Sequence, residues 1–457
     1  MKKFFTLSVL GAFACANITA QTLTTITTDE DVMLFGGHQP LSISPNGRFL
    51  AGSTAAWMMF TYDMQTKNTT VFTEEDGSAF ENGGAELRDV TNDGVAVGFD
   101  DNGGVMVDAD GTYTVVEPFS DDANIVVFDR VTEDGSIIVG SVSDASWIQK
   151  ACYWENGVKN FLPVPTSEEM GFSVNATTAK FVSADGKIIV GWIVDDFGTE
   201  PMIIWERQDD GTYVLNPVCK DLFEPKNDYM MDDNWNFVGW DRGTNPYLRF
   251  NPAGISADGK TIALHIMENV NADDPSFPPV KIGLYDVATG EVTAVIDADG
   301  NHGLEEGCGF VIGAVSNNGT VVGYTGDGFF ESRKAFIMYG DEKLPKLFSE
   351  EFGDLDGMES YLEFADMGGS LVASSISADG RYITGFGEFI DWDTYMMGIK
   401  GFVIDTQSTT TSIGSVDVQT DGEAEYYTID GRKNNTLVKG LNIVKTANGE
   451  IKKIIVK

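Results

Sequence analysis

One short phrase recurs along the chain and constrains the fold more than any other feature. It consists of an aliphatic residue, Ser or Thr, a variable residue, Asp or Asn, Gly, two variable positions, two β-branched or apolar residues and usually a second Gly. Its seven copies, 41 to 73 residues apart, align on Gly47, Gly94, Gly135, Gly186, Gly259, Gly319 and Gly380. Asp-Gly or Asn-Gly between β-rich runs indicates a hairpin, because the turn needs a positive φ that Gly adopts without steric cost. We expect the Ser or Thr to hydrogen-bond the backbone of its own turn.

A third β-rich run follows each hairpin, and a fourth apolar run such as KNFLPV or VTAVI usually follows the third. The third runs are Met58–Asp63, Gly104–Asp110, Ala151–Gly157, Met202–Gln208, Lys281–Gly290, Ala335–Asp341 and Gly401–Gln407. Four strands per repeated unit are typical of propeller blades, which must stack on one another to bury their faces. The sequence therefore predicts an all-β, seven-bladed β-propeller of four-stranded blades over residues 21–407. We expect the N-terminal strand around Leu23–Met33 to close the ring beside the last blade.

Several copies also resemble known propeller repeats. FVSADGKIIVGWIVDD followed by MIIWERQDDG, and AVSNNGTVVGYTGDG followed by KAFIMYGDEKLPKLF, resemble HAF-type repeats. SISPNGRFLAG followed by MFTYDMQTKNTTVF, and GISADGKTIAL followed by GLYDVATGEVTAVI, are similar to TolB-like and YVTN-like blades. The resemblance covers about Leu41–Gln407 and implies an architecture without naming a ligand.

The first twenty residues have the layout of a secretory signal peptide. Lys2 and Lys3 precede an apolar run, Phe4–Ala16, and small residues lead to a cleavage position near Ala20. The run is too short to span a bilayer as an anchor, and no later segment is long and apolar enough for a transmembrane helix. We therefore expect a secreted or cell-surface protein.

The C-terminal part differs in composition from the propeller. A Ser/Thr-rich linker at 408–420 leads to 421–457, where three strand-like runs are separated by Asp-Gly and Asn-Gly turns. From Arg432 onward, seven basic residues accompany one acid, Glu450, so the sign of the charge reverses. The pattern predicts a small C-terminal β module.

This module resembles the C-terminal sorting domain of the type IX (Por) secretion system of Bacteroidetes. The matching positions are Tyr427, Gly431, Arg432, Lys433, Gly440, Lys452 and Lys453. The resemblance implies recognition by that secretion machinery, although the module is short and has GLNIV where the family often has an aromatic residue after the Gly. The alternative is a basic β hairpin packed on the ring.

The formal net charge of −40 opposes binding to nucleic acids and to anionic membranes. It favours cationic partners, although solubility alone is an alternative reason for it. The mature chain keeps Cys152, Cys219 and Cys308, an odd number without CxxC spacing, which we interpret as buried apolar cysteines.

Catalytic motifs are missing from the sequence. The three histidines, His38, His265 and His302, lie in different units, and no HExxH, GxSxG, P-loop or dinucleotide motif occurs. We predict no cofactor, with calcium left open at Asp195–Asp196, at Asp391 with Asp393, and at Asp297–Asn301. A two-carboxylate glycosidase also stays open, because nothing selects a pair.

The variable loops point to a binding face. In a propeller the Asp-Gly hairpins lie on one face, and the loops after each second strand and between blades lie on the other. Aromatic residues flanked by acids in these loops suit a cationic protein or a sugar ring, although they can also cap blade interfaces. The predicted binding residues are Trp147, Trp192, Asp195, Asp196, Trp235, Trp240, Phe329, Phe330, Asp391, Trp392, Asp393 and Tyr395.

The sequence thus favours an exported, non-catalytic propeller that binds an extracellular partner through its loop face. A basic protein, such as a host protein or a protease, is the favoured partner. A carbohydrate-active or glycan-binding protein and a structural surface component are the alternatives.

Overall fold

A computed structural model describes most of the chain. The described residues are 21–73, 85–100, 102–116, 123–144, 146, 148–196, 198–223, 228–241, 243–269, 280–296, 309–326, 333–366, 369–391, 396–407, 425–428, 432–434, 440–445 and 451–456. None of the helices within these ranges is both long and apolar enough to traverse a lipid bilayer.

Seven four-stranded antiparallel sheets form the blades of a β-propeller, as predicted. Strand β1 (Thr22–Thr25) and helix α1 (Asp29–Phe35) precede blade 1. Blade 1 consists of β2 (His38–Ile43), β3 (Phe49–Thr54), β4 (Met59–Asp63) and β5 (Asn68–Phe72), and blade 2 of β6 (Glu86–Val90), β7 (Ala96–Asp100), β8 (Gly103–Val107) and β9 (Tyr113–Val116). Blade 3 consists of β10 (Ala123–Val131), β11 (Ile137–Asp144), β12 (Gln149–Glu155) and β13 (Val158–Phe161). Blade 4 consists of β14 (Ala176–Val182), β15 (Ile188–Val194), β16 (Met202–Arg207) and β17 (Tyr213–Asn216).

The second half adds a two-stranded insert and three more blades. The insert is β18 (Asp228–Met231) with β19 (Phe237–Asp241). Blade 5 consists of β20 (Tyr247–Ile255), β21 (Thr261–Glu268), β22 (Lys281–Asp286) and β23 (Glu291–Ile296). Blade 6 consists of β24 (Phe310–Val315), β25 (Val321–Thr325), β26 (Lys334–Met338) and β27 (Pro345–Leu347). Blade 7 consists of β28 (Ser370–Ile376), β29 (Tyr382–Asp391) and β30 (Met396–Asp405) together with β1. Short helices in the links between blades are α2 (Ser167–Met170), α3 (Phe348–Glu351) and α4 (Met358–Asp366).

The repeated phrase forms the turn between the first two strands of every blade. The seven aligned glycines have φ between 69° and 89°. In each copy the Ser or Thr hydroxyl accepts a hydrogen bond from a backbone N–H just after the glycine, as when Phe49 N–H donates to Ser44 Oγ over 2.9 Å. The predicted turn chemistry is therefore confirmed.

The second glycine of the phrase has a different role. The innermost strand of each blade carries a β-bulge at the same position, shown in blade 2 by the register shift between Leu87 and Asp89. A Cβ on the second glycine of six blades would come within 1.8 to 2.1 Å of a carbonyl oxygen beside the bulge. Blade 5 has Leu264 at this position, opposite Pro252.

The N-terminal strand closes the ring. β1 pairs antiparallel with β30, with Thr22 opposite Asp405 and Thr25 opposite Phe402, so blade 7 is completed by the start of the chain. The expectation that the strand continues to Met33 is wrong. Residues Asp29–Phe35 are helical because Thr28 and Asp31 form a capping box, in which each side chain accepts from the backbone N–H of the other residue.

The two described cysteines behave as predicted. Cys152 and Cys219 are buried free thiols, and burial raises the pKa of both. Apolar surroundings disfavour the thiolate, so neither side chain is a reactive nucleophile. Cys308 lies outside the described residues.

The C-terminal segment forms a sheet of its own. Thr22–Thr406 is one compact unit, and the residues from Gln407 onward belong to a second unit. In the second unit, β31 (Glu425–Thr428), β32 (Lys433–Asn434), β33 (Gly440–Lys445) and β34 (Ile451–Val456) pair in the order β32-β31-β33-β34. Tyr427 pairs with both Lys433 and Ile443, and Gly440 begins β33. Arg432 is exposed, Lys452 and Lys453 lie in β34, and Gly431 lies outside the described residues.

Candidate functional site

The innermost strands of the seven blades surround a central channel. A cavity of about 470 Å³ lies at the end formed by the Asp-Gly turns. A cavity of about 460 Å³ lies at the opposite end, below the variable loops. We call the second cavity the loop-side mouth. A narrower section of about 110 Å³ lies between them.

The turn-side end is built by hydrogen bonds that link all seven blades. Each bond uses the residue two before the turn glycine or its immediate neighbour. The links are Asn46 N–H to Asn92 Oδ1, Asn92 Nδ2 to Glu133 Oε1, Glu133 N–H to the Ala184 carbonyl, Ala184 N–H to the Ala257 carbonyl, Asp258 N–H to Asn317 Oδ1, Asn317 N–H to the Ala378 carbonyl, and Ala378 N–H to the Pro45 carbonyl. This closed belt joins each blade to the next, so we assign this end a structural role.

The loop-side mouth contains an ionic network across three blades. Arg88 of blade 2 donates to Glu86 Oε1 and to Asp129 Oδ1, each over 2.5 Å. Lys180 of blade 4 reaches the same oxygen of Asp129 in blade 3 over 3.1 Å. Burial alone would lower the pKa of Arg88, but Asp129 and Glu86 outweigh it, so this pKa is raised and Arg88 stays charged.

Two further guanidinium groups line the channel without an ion pair among the described residues. Arg130 donates to the carbonyls of Arg88 and Asp129 over 3.1 and 2.7 Å, and it lies 5.4 Å from the ring centre of Phe181. Arg333 lies 5.4 Å from the ring centre of Tyr324. Among the described residues, neither guanidinium has a carboxylate within 4.0 Å. The mouth therefore carries positive charge inside a strongly acidic protein.

A buried carboxylate lies deeper in the channel. Asp89 accepts hydrogen bonds from Ser42 Oγ over 2.8 Å and from Val131 N–H over 3.0 Å. Burial raises the pKa of Asp89, with the charge of Arg130 and these hydrogen bonds acting in the opposite direction. The group thus favours its neutral form more than an ordinary aspartate does.

The bulges explain how these side chains come to face the channel. A bulge places two successive residues of the strand opposite one residue of its neighbour, and in blades 2 to 4 both of these residues line the channel. The pairs are Arg88–Asp89, Asp129–Arg130 and Lys180–Phe181. In blades 6 and 7 the same positions hold Gly313–Ala314 and Ser374–Ser375, which leave open space facing the charged wall.

The structure places Trp192 beside this mouth. The ammonium group of Lys180 lies 4.9 Å from the centre of its ring. Asp195 is buried and accepts from Thr199 N–H and Oγ1 over 2.8 and 2.6 Å, and Asp196 accepts from Asn175 Nδ2 over 2.9 Å. Asp195 is therefore engaged within its own loop, and Asp196 is engaged with the residue that precedes β14. No group of three or more metal-ligating side chains is found in the part of the chain that the structure describes.

Trp235 lies in the turn of the insert hairpin β18–β19. Its side chain is 85% exposed, and its φ of 63° is unusual for a non-glycine residue. Asp232 fixes the turn by accepting from Asn234 N–H over 2.8 Å, from Asn236 N–H over 2.9 Å and from Asn236 Nδ2 over 3.0 Å. Trp240 lies in β19 opposite Tyr229.

Several predicted binding residues lie outside the described residues. These are Trp147, Phe329, Phe330, Trp392, Asp393 and Tyr395. Asp391 ends β29 opposite Met396, and its side chain is likewise outside the description.

The sequence analysis missed the basic residues of the mouth. Three of them lie just before the aliphatic residue of the phrase, in RDVTNDG, DRVTEDG and KFVSADG, and the other four copies have no basic residue there. That difference between copies is the signal that could have identified Arg88, Arg130 and Lys180. Arg333 has no such signal, because it comes from a loop.

Comparison with known proteins yields a fold and no family. No family model matches the chain, and neither does any curated protein. An oligogalacturonate lyase solved in complex with manganese is 13% identical with a TM-score of 0.50, covering 85% of this chain and 97% of its own. TolB from Acinetobacter baumannii is 16% identical with a TM-score of 0.35, and the match covers 67% of this chain and 61% of the TolB chain. U3-55K is 9% identical with a TM-score of 0.42, and the match covers 84% of this chain and 98% of the U3-55K chain. At such identities the likeness concerns the fold alone: this chain is a seven-bladed β-propeller.

Proposed function

We propose that this protein is an exported, non-catalytic recognition module that binds a basic extracellular protein, with the insert hairpin β18–β19 as a principal contact. One observation carries the proposal: large apolar side chains are exposed together on a hairpin that is rich in aspartate. Trp235 is 85% exposed, Val238 52%, Met231 49% and Met230 39%. Clustered exposed apolar side chains mark interaction sites more often than isolated ones do.

The charge of the hairpin supports a cationic partner. Residues 228–241 contain four aspartates, Asp228, Asp232, Asp233 and Asp241, and no Lys or Arg. Complementary charge raises the association rate, and an aromatic anchor supplies much of the binding free energy at many interfaces. The hairpin combines both properties.

The backbone of the turn favours a functional interpretation. A non-glycine residue at positive φ costs about 1 kcal/mol. Here Trp235 has this backbone conformation, and its indole is exposed to solvent. The hydrogen bonds from Asn234 and Asn236 to Asp232 hold the turn in this conformation, and the indole takes no part in these three bonds. A preorganised anchor loses little entropy when it binds.

Site-specific photocrosslinking tests the proposal. A benzoylphenylalanine at position 235 of the mature chain should capture a partner from the natural extracellular medium, whereas the same probe at Val158, which is 62% exposed on blade 3, should not. The captured protein is then purified, and its Kd for wild-type, Trp235→Ala and Val158→Ala chains is measured at 50 and 300 mM salt. We expect the first substitution to weaken binding at least tenfold, the second to leave it unchanged, and salt to weaken it steeply.

Three results would reject this function. They are equal crosslinking at both positions, an affinity that salt does not change, and crosslinks only between copies of this chain. The last result would favour the structural surface role instead.

The export route belongs to the same proposal. Its support is the residue pattern of 1–20 and the likeness of 421–457 to type IX sorting domains. Removal of 421–457 should leave the propeller folded but retained inside the cell envelope, and a charge-neutral change in the linker 408–420 should not. Fractionation of the producing cells gives the readout, and secretion of the shortened chain would reject the sorting role.

A further inference from the structure

We propose that the loop-side mouth of the channel is a second binding site, which takes a small organic monocarboxylate. This site is separate from the insert hairpin, and its ligand has the opposite charge to the partner proposed above. The proposal rests on two guanidinium groups that form no ion pair among the described residues, on the excess of positive charge in the lining of the mouth, and on the open space beside it.

The guanidinium groups of Arg130 and Arg333 supply the recognition. Arg130 is held by two backbone carbonyls, and neither it nor Arg333 has a carboxylate within ion-pair distance in the described part of the chain. Each lies near an aromatic ring, Phe181 or Tyr324. A guanidinium fork matches a carboxylate through two parallel hydrogen bonds, so these groups are suited to an incoming carboxylate.

The balance of charge favours a ligand with a single negative charge. The cavity of the mouth is lined by four cations and two carboxylates, namely Arg88, Arg130, Lys180, Arg333, Glu86 and Asp129. The formal excess of positive charge among these residues is two units, and the carboxyl groups of Asp89 and Glu133 in the narrower section offset it. A single carboxylate therefore fits better than a phosphate dianion or a citrate, which would also meet stronger repulsion from Glu86 and Asp129.

The shape of the cavity limits the size of the ligand. A volume of about 460 Å³ lies within the range of pockets that hold small molecules. The small residues Gly313 and Ser374 leave room on the wall opposite the cations, and Phe181, Tyr324 and Phe386 offer aromatic surface to an apolar or sugar-like body. A monosaccharide acid and an acidic dipeptide both satisfy these limits.

The site is also preorganised. Asp129 fixes the positions of Arg88 and Lys180 from the neighbouring blades, so the charged wall does not need to assemble around the ligand. Binding then costs little rearrangement.

Calorimetry on the full mature chain tests this proposal with matched pairs of probes. Glucuronate is compared with glucose, and alanyl-glutamate blocked at its C-terminus with the equally blocked alanyl-glutamine. Inorganic phosphate at pH 8 serves as the dianion. We expect at least one of the two carboxylates to bind with a Kd below 1 mM and its neutral counterpart to bind at least tenfold more weakly; the arm that binds identifies an acidic sugar or an acidic peptide as the source.

The variants separate the mouth from general charge effects. Arg333→Gln should weaken carboxylate binding at least tenfold without lowering the melting temperature, Arg333→Lys should retain part of the affinity, and Arg130→Gln repeats the test at the second guanidinium. Lys187→Met, which removes an exposed cation of the turn-side face, should change nothing.

Any of the following results would overturn the proposal: no carboxylate binding at 10 mM, equal binding of the neutral probes, phosphate binding more tightly than carboxylates, or the same affinity in Arg333→Gln as in Lys187→Met. Trp235→Ala should leave the carboxylate affinity unchanged, so failure at this site and failure at the hairpin are distinguishable.

Discussion

The Arg88 guanidinium and the Asp129 carboxylate lie 2.5 Å apart across the boundary between blades 2 and 3. Asp129 is nearly buried, with 5% of its side chain exposed, and it also binds Lys180 of blade 4. The pair therefore ties three neighbouring blades together at the rim of the channel while it positions the cations of the loop-side mouth.

Removal of Arg88 should destabilise the propeller more than removal of an arginine from a surface pair. Arg88→Met leaves Asp129 with one cation instead of two, and we expect a loss of about 2 to 3 kcal/mol in the free energy of unfolding. The control is Arg48→Met, because Arg48 pairs with Asp63 over 3.0 Å while 44% of the Arg48 side chain is exposed, and its loss should destabilise the propeller much less. Denaturant unfolding measures both values, and equal losses would contradict the structural role of the network.

The second glycine of the phrase should not tolerate a side chain. A Cβ at position 98 would lie 1.9 Å from the carbonyl oxygen of Glu86, so Gly98→Ala must displace the bulge and should cost about 3 kcal/mol or more. Gly157→Ala is the matched control, since Gly157 has a positive φ of 78° but no atom within 4 Å of the added Cβ, and it should cost about 1 kcal/mol. Melting temperatures of the two variants compare the effects; a harmless Gly98→Ala would show that the bulge is not fixed.

The hydroxyl of Thr27 should be essential for ring closure. This buried oxygen accepts from Gly401 N–H over 2.9 Å and from His38 N–H over 3.2 Å, and so joins the closing segment to blades 7 and 1. Thr27→Val keeps the shape but leaves both donors buried without this acceptor, which should cost about 3 kcal/mol. Thr24→Val, at a hydroxyl without a hydrogen bond among the described residues, should be nearly neutral; similar losses in thermal unfolding would argue against this role.

His265 should make the stability of the propeller depend on pH. Its Nε2 accepts from Ile312 N–H over 2.9 Å, and burial, followed by the charge of Arg249, lowers the pKa of His265 to about 4. Between pH 6.5 and about pH 4 the unfolded chain binds a proton at this residue that the folded chain does not bind. The stabilisation by His265 is therefore fully present above pH 6.5 and is lost as the pH falls towards 4, with a magnitude of up to about 3 kcal/mol.

The comparison with His265→Gln isolates this effect from that of the many carboxylates. The free energy of unfolding is measured for the wild-type chain and for His265→Gln at pH 7 and pH 4.5. It should decrease less on acidification in the variant than in the wild type. Parallel pH profiles would show that the imidazole is not held neutral by the fold.

The turns of the blades and the exposed insert were predictable because the residues that specify them are close together in the sequence. The turn at Gly380 needs only Ser377, Asp379 and the glycine itself, all within four residues. The position of Trp235 on an exposed insert was predictable for the same reason, since an acidic and aromatic segment between two blades has no place in the repeat. Helix α1 shows the limit of such reasoning: the capping box of Thr28 and Asp31 was overlooked in favour of a longer strand.

The charged mouth could not be predicted in this way. Arg88, Asp129, Lys180 and Arg333 are separated by 41 to 245 residues and meet only around the channel. Arg88, Asp129 and Lys180 are variable positions of the repeat and Arg333 lies in a loop, and nothing in a single copy of the phrase shows that a bulge turns two successive side chains inward.

The chain by itself therefore determined the number of blades, the chemistry of their turns and the general acidity of the surface, because hairpin formation depends on neighbours in sequence and net charge depends only on composition. The tertiary structure alone decided where positive charge accumulates. Closing seven strands into a ring brings residues from different blades within hydrogen-bonding distance, and the electrostatic interactions at the mouth depend on those distances rather than on the order of residues along the chain.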